Sequence, residues 1–219
     1  MQVSQRRTGS NPSHNYHHGD LRRAIKASTL AIIETEGMDA VSLRAIARQL
    51  GVSEAAPYHH FSSKDDLLAV LAADAYREFG ERLANAVEAA GKDPFDRLGA
   101  LAKAYVGFGL ERRGRFRLMF GEHMLDLAAK MHGRTTGQPA RQILTDVVAG
   151  CLERNTPGAT LIENTTWALV HGVTWLVAEA EIRFDNDADG VERFTDVAVS
   201  ILIEGIRAQV ASPVASPEV

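Results

Sequence analysis

An all-α fold is what this chain predicts, and three observations carry the prediction. Apolar residues recur at steps of three and four over most of the length, the spacing of one helix face. Breaks in that pattern fall on glycine and proline, at Gly37, Gly51, Gly91, Pro94, Gly114, Gly121, Gly133, Gly137 and Pro157. Two helical segments between Val41 and Lys64 are short and meet across Gly51, whereas the segments after them are longer. No convincing strand pattern and no internal repeat accompanies them. A chain of 219 residues can hold one or two domains with a proper core.

Taken in order, residues 1–19 lack apolar periodicity and read as a flexible N-terminal arm carrying Arg6 and Arg7. Asp20 is placed to N-cap a first helix reaching about Glu36, with Leu21, Ala24, Ile25, Ile32 and Ile33 on its apolar side. Gly37 ends it. Ser42 caps a second helix, Leu43 to Leu50, and Gly51 suits the left-handed position after it. Ser53 caps a third, roughly Glu54 to His60. A fourth begins near Ser63, and Leu68, Ala72, Tyr76, Phe79, Leu83 and Val87 make it long and amphipathic. Beyond Gly91, helices are expected over 95–112, 116–120, 124–132, 139–155, 159–182 and 191–210, with an acidic loop at 185–189. Residues 212–219 form a Pro/Ser-rich, disordered tail.

Composition narrows the function classes. Net charge is −4, which by itself argues against a polyanionic partner. The distribution softens this: residues 1–72 hold eight Lys/Arg against seven Asp/Glu, together with five of the eight histidines. The lone Cys151 excludes an intrachain disulfide and fits a reducing compartment. No signal-peptide order is visible at the start. The best apolar run, Trp167 to Ala178, is too short for a bilayer. A cytoplasmic protein with no membrane partner is expected. No cofactor is implied, and no metal site, because His123 and His132 lack helical spacing and no cysteine pair exists.

The 41–64 segment has the layout of a helix-turn-helix, which lays a short helix into the major groove of DNA. Ala47 supplies the small residue where two helices cross, and Ile46, Leu50, Val52 and Phe61 supply the apolar underside. The third helix should then project Glu54, Ala55, Ala56, Tyr58 and His59 outward. Tyr58 and Lys64 are candidates for phosphate, and Arg44, in the first turn of the second helix, for a guanine edge. Pro57 removes an N–H needed inside a regular helix, so the third helix should bend or start late. The arm is either a plain tail or a reach toward phosphates or the minor groove.

At these residues the chain resembles the tetracycline-repressor-like (TetR) family of transcriptional regulators. The resemblance runs from Gly37 through Ser42-Leu43-Arg44, Ile46-Ala47, Leu50-Gly51-Val52-Ser53 and Tyr58-x-His60-Phe61-x-x-Lys64-x-x-Leu67-Leu68, and covers about residues 16–72. It implies that Arg44, Glu54, Ala55, Ala56, Tyr58, His59 and His60 face a DNA operator, with Tyr58 and Lys64 on phosphates; Ser53 joins this DNA-binding set. Ala56 and Pro57 depart from common family residues, which bears on operator sequence rather than fold. A second resemblance, through Tyr16-His17-His18-Gly19-Asp20-Leu21, Arg117-Leu118-Met119-Phe120 and Trp167-x3-His171-Gly172, points to a branch with a Trp-x3-His-Gly effector domain.

The larger half is expected to bind a ligand and to dimerise. Glu163, Trp167, His171, Trp175 and Glu179 stand in an i, i+4 row. Trp167, His171 and Trp175 on one side, with Phe108, Met119, Phe120 and Met124 opposite, are the candidate ligand-binding residues, although core packing is an equally physical reading of the same pattern. The last helix has apolar residues on two sides, and the one before it is apolar on most sides. A C2 dimer would bury both and set two recognition helices about 34 Å apart, one DNA turn. Trp175, Phe194, Val197, Ile201 and Leu202 are the candidate dimer-interface residues.

These readings combine into an N-terminal three-helix helix-turn-helix DNA-binding domain over 20–68, followed by a C-terminal helical-bundle effector and dimerisation domain over 69–211. The expected partners are a palindromic double-stranded DNA operator, a small-molecule effector of unknown identity and a second copy. The expected activity is repression relieved by the small molecule. A DNA-binding activator or architectural protein without a ligand stays open, as does a small-molecule enzyme built on His171 with Glu163 or Glu179.

Overall fold

The computed structural model describes residues 18–121, 138–153, 156, 158–184 and 189–211, and among these it is all helical. The elements are α1 (His18–Thr35), α2 (Leu43–Gln49), a single 3-10 turn at Ala56–His59, α3 (Lys64–Ala89), α4 (Pro94–Glu111), α5 (Arg113–Phe120), α6 (Gln138–Cys151), α7 (Ala159–Ala178) and α8 (Gly190–Ala211). The arm up to residue 17, the helix expected over 124–132, Met124, the 212–219 tail and most of the acidic loop lie outside the described residues.

The caps agree with the sequence where side-chain chemistry is local. Ser42 accepts the Ala45 N–H at the start of α2 (3.4 Å). Ser63 accepts the Asp66 N–H at the start of α3 (3.1 Å), while the Asp66 carboxylate reaches back to the Ser62 N–H (2.8 Å). After α2 the chain closes a Schellman motif: Val52 N–H bonds Ala47 C=O (3.0 Å) and Gly51 N–H bonds Arg48 C=O (3.1 Å). Gly51 sits at φ +68°, where a Cβ would be strained. Asp20 is not a cap. Helix α1 begins two residues earlier, and Asp20 lies in its first turn, paired with Arg23 (2.8 Å).

Two apolar cores form. The smaller gathers Leu21, Ile25 and Ile33 of α1, Leu43 and Ile46 of α2, Phe61, and Leu67, Leu68, Leu71 and Ala72 of α3. Ala47 is fully buried, as the helix crossing requires. The larger core gathers α3 from Ala75 onward with α4, α5, α6, α7 and α8. Helix α3 is therefore one continuous helix shared by both cores, and the boundary expected at residue 68 falls inside it.

Helix α5 is the second bridge. Its Leu118, fully buried, belongs to the smaller core, whereas Phe116 and Met119 belong to the larger. Glu34 of α1 accepts the Gly114 N–H at the start of α5 (2.8 Å), a carboxylate at a helix N-terminus contributed by another element. A Cβ on Gly114 would stand 2.7 Å from the Glu34 carboxyl carbon, so glycine permits this approach. Lys26 of α1 pairs with Asp74 of α3 across the same junction.

Candidate functional site

The expected recognition helix is shorter in the structure than the sequence suggests. In place of a helix from Glu54 capped by Ser53, the chain makes a turn over Glu54 and Ala55 and then one 3-10 turn, Ala56–His59. Pro57 is the cause. It has no N–H to offer Ser53 C=O, and that carbonyl takes the Ala56 N–H instead (2.9 Å), the i+3 pairing of a 3-10 turn. Ser53 caps nothing; Ala55 holds the N-cap position, without a side-chain hydrogen bond.

Glu54, Ala55, Tyr58 and His59 are exposed, Tyr58 at 46% despite its aromatic ring. Ala56 and His60 are half-buried, and Ala56 packs on the smaller core, so it faces less outward than expected. Lys64 donates to the Asp39 carbonyl (3.2 Å), which ties α3 to the connection between α1 and α2. Arg44 stands exposed on α2, with its Nε 4.0 Å from Glu54. Arg48, one helical turn further on, donates to Glu54 at 3.0 Å. Arg48 was not singled out from sequence, although its i, i+4 relation to Arg44 is visible there.

The larger core borders a pocket of about 240 Å³, partly open to the surface and lined by Tyr76, Phe79 and Leu83 of α3, Leu101 and Tyr105 of α4, Phe120 of α5, Ala140, Arg141 and Leu144 of α6, and Trp167 of α7. Of the expected ligand residues, the structure brings Phe120 and Trp167 to this wall. Phe108 and Met119 are fully buried core residues. His171 and Trp175 stand behind the wall: they stack with ring centres 6.1 Å apart, and Phe116 and Phe120 pack on His171 at 5.4 and 4.8 Å. Tyr76, Phe79, Tyr105 and Arg141 are the additional lining residues that matter. Tyr76 and Phe79 were visible only as one helix face, and nothing in the sequence tells which members of a face border a void.

The polar groups here are largely engaged. Tyr105 hydroxyl and His171 Nδ1 lie 2.9 Å apart, and Tyr76 donates to Met119 C=O at 2.6 Å. Burial holds the His171 imidazole below its usual pKa, so it is neutral and Nδ1 can accept from Tyr105. Burial likewise raises the Tyr105 phenol and pushes Tyr76 up to about 12. Arg141 lies 4.9 Å over the Trp167 ring and donates to Glu163 (2.8 Å) and Asn164 (2.7 Å). Glu179, at the C-cap of α7, is clamped by Arg117 of α5 through two bonds of 2.6 Å, which hold its carboxyl below the usual range. Glu163 thus accepts from Arg141 and Thr145, Glu179 from Arg117, and His171 pairs with Tyr105.

The expected interface residues divide. Val197 and Ile201 are exposed at 56% and 63%, and Leu161 and Leu176 of α7 at 61% and 41%. Leu202 instead belongs to the larger core, and Trp175 packs half-buried against it. Phe194 is half-buried beside Phe184 (5.6 Å). The reason is the placement of α8 against α4 and α7, which turns Thr195, Val199, Leu202 and Ile206 inward and leaves Val197 and Ile201 outside.

No helix among the described residues is long and apolar enough to cross a membrane, and no group of His, Cys, Asp or Glu among them could hold a metal ion.

Comparison with known proteins places both halves. Residues 25–71 match the model for bacterial regulatory proteins of the tetR family, and residues 98–202 match the tetracycline-repressor-like C-terminal domain. An HTH-type transcriptional regulator of Mycobacterium bovis is 33% identical over 107 residues, 47% of this chain and 46% of that protein. The match thus spans about half the length of that curated relative. Among solved structures, a protein of unknown function from Rhodococcus sp. RHA1 is 30% identical over 88% of this chain and 98% of its own, with a TM-score of 0.71. AibR, solved in complex with isovaleryl coenzyme A and operator DNA, shares the fold at 18% identity and a TM-score of 0.60, over 83% of this chain and 97% of its own. With a headpiece and a body each matched by its own model, the chain belongs to the TetR family of transcriptional regulators.

Proposed function

We propose that the protein is a ligand-responsive repressor that binds a palindromic operator as a homodimer and leaves it when a small apolar molecule occupies the cavity. One observation carries this reading: α5 belongs to both cores, with Leu118 inside the headpiece and Phe120 on the cavity wall. A molecule that displaces Phe120 must shift α5, and α5 is tied to α1 through Leu118 and the Glu34–Gly114 bond. The lever expected from sequence, the long helix α3, shares the task, since it also lines the cavity and enters the headpiece core. Coupling of about 1–3 kcal/mol per site suffices for strong derepression.

The exposed surfaces support the remaining parts. The DNA-binding set is Arg44, Glu54, Ala55, Tyr58 and His59, with Lys64 at the N-terminus of α3 and Arg48 added. Leu161 and Leu176 of α7 and Val197 and Ile201 of α8 are exposed apolar side chains on two helices that pack together, the kind of residues that a second copy covers. A largely apolar pocket beside Trp167, partly open to the surface, supports the gated regulator over a DNA-binding protein without a ligand.

The test joins the two functions. Duplexes retained from a random pool should converge on a palindrome, and small aromatic compounds that alter Trp167 fluorescence should release the protein from it. Leu144→Trp, which fills the cavity, should abolish the fluorescence response. Compounds that bind without releasing DNA would refute the gating.

A further inference from the structure

We propose that Glu54 is a specificity-determining residue of the recognition surface: it restrains Arg48 and, more loosely, Arg44 on unrelated duplex and accepts from the amino group of a cytosine in the operator. The inference rests on reading this surface as the DNA-binding face. Glu54 Oε1 accepts from Arg48 at 3.0 Å and Oε2 lies 4.0 Å from Arg44 Nε. The two arginines stand one turn apart on α2, and the Schellman turn at Gly51 brings the carboxylate back between them. All three side chains are at least half exposed. Exposed ion pairs contribute little to stability, so the fold has small need of this carboxylate.

Its effect on DNA is larger, because Arg44 and Arg48 are the cations it meets beside the recognition turn. Arg23 pairs with Asp20, Lys26 with Asp74 and Lys64 with the Asp39 carbonyl, while Arg22 lies over Phe61. Arg44 and Arg48 stand beside the recognition turn, and one carboxylate bonds Arg48 and lies 4.0 Å from Arg44. On an arbitrary duplex the arginines must leave Glu54 for phosphate oxygens, and the carboxylate is left facing a polyanion. Where a half-site sets a cytosine against Glu54, its N4 amino group supplies a donor, and the freed arginines can take guanine O6/N7 or phosphate. The carboxylate thus penalises wrong sequences more than the right one.

Full-length protein and Glu54→Gln would be titrated by fluorescence anisotropy against the selected palindrome and a scrambled duplex of equal length, over a range of salt. The amide keeps the shape and loses the charge, and thermal melts should coincide because the site is exposed. The glutamine variant should bind scrambled DNA about tenfold more tightly, with a salt slope steeper by about one. Its preference for the palindrome should fall about tenfold or more. Replacing one C·G pair per half-site should weaken the wild-type protein about tenfold and leave the variant unaffected. Equal tightening on both duplexes, or no change on either, would overturn the assignment. Failure of the wild-type protein to prefer any duplex would instead remove the DNA-reading face itself.

Discussion

Leu118 is the sharpest place to test how the two halves communicate. It lies far from the headpiece in sequence, yet its side chain is fully buried among Leu21, Ile25 and Leu68 of the smaller core. Leu118→Ala removes three buried carbons and leaves a cavity at the junction, a loss of about 3 kcal/mol within the usual 2–5. For a chain of this size that lowers Tm by about 6–12 °C. Leu83→Ala is the control: equally buried, but placed in the larger core and on the cavity wall. Both variants should lose similar stability in urea, followed by far-UV circular dichroism and by the fluorescence of Trp167 and Trp175, which both report on α7. Their DNA affinities should separate. Leu118→Ala loosens the seat of α1 and should bind the selected palindrome about tenfold more weakly, a cost of about 1.4 kcal/mol. Leu83→Ala should stay within about twofold of wild type. Equal affinities for the two variants would refute the bridging role of α5, whatever the stabilities.

Three further outcomes are expected. Arg44→Ala should relax preference at one or two base pairs per half-site, whereas Lys64→Ala should weaken all duplexes and reduce the salt slope by about one; competition assays across salt separate them. His171 is held neutral by burial, so stability should fall as pH drops below the ordinary histidine value of about 6.5, where the unfolded chain takes up a proton that the native state resists. His171→Gln should show a smaller loss in urea titrations between about pH 7.5 and 5.5, and an identical loss would remove His171 from the account. Ile201→Glu, on the exposed face of α8, should yield a folded monomer by sedimentation that no longer binds the palindrome tightly; an unchanged mass would place the interface elsewhere.

Local chemistry was legible in the chain before any coordinates. Ser42 caps and Gly51 turns because each acts within a few residues of itself, and the three- and four-residue period fixes which face of α3 is buried, whereas Asp20 and Ser53, expected as caps, do not cap. Even the violation at Pro57 was visible, and its consequence, a single 3-10 turn, follows from one missing N–H. Periodicity cannot say which neighbour a buried face meets. Phe108, Met119 and Phe120 are alike in sequence, but only Phe120 borders the void, and Leu202 and Ile201 are adjacent apolar residues of which one is core and the other exposed. Those choices belong to how α4, α5, α7 and α8 pack, as does the placement of Leu118 in a core otherwise built from residues 21–72. Short-range hydrogen bonding and helix period decided the elements; contacts across long sequence separations decided the cavity, the exposed apolar face and the bridge between the two halves.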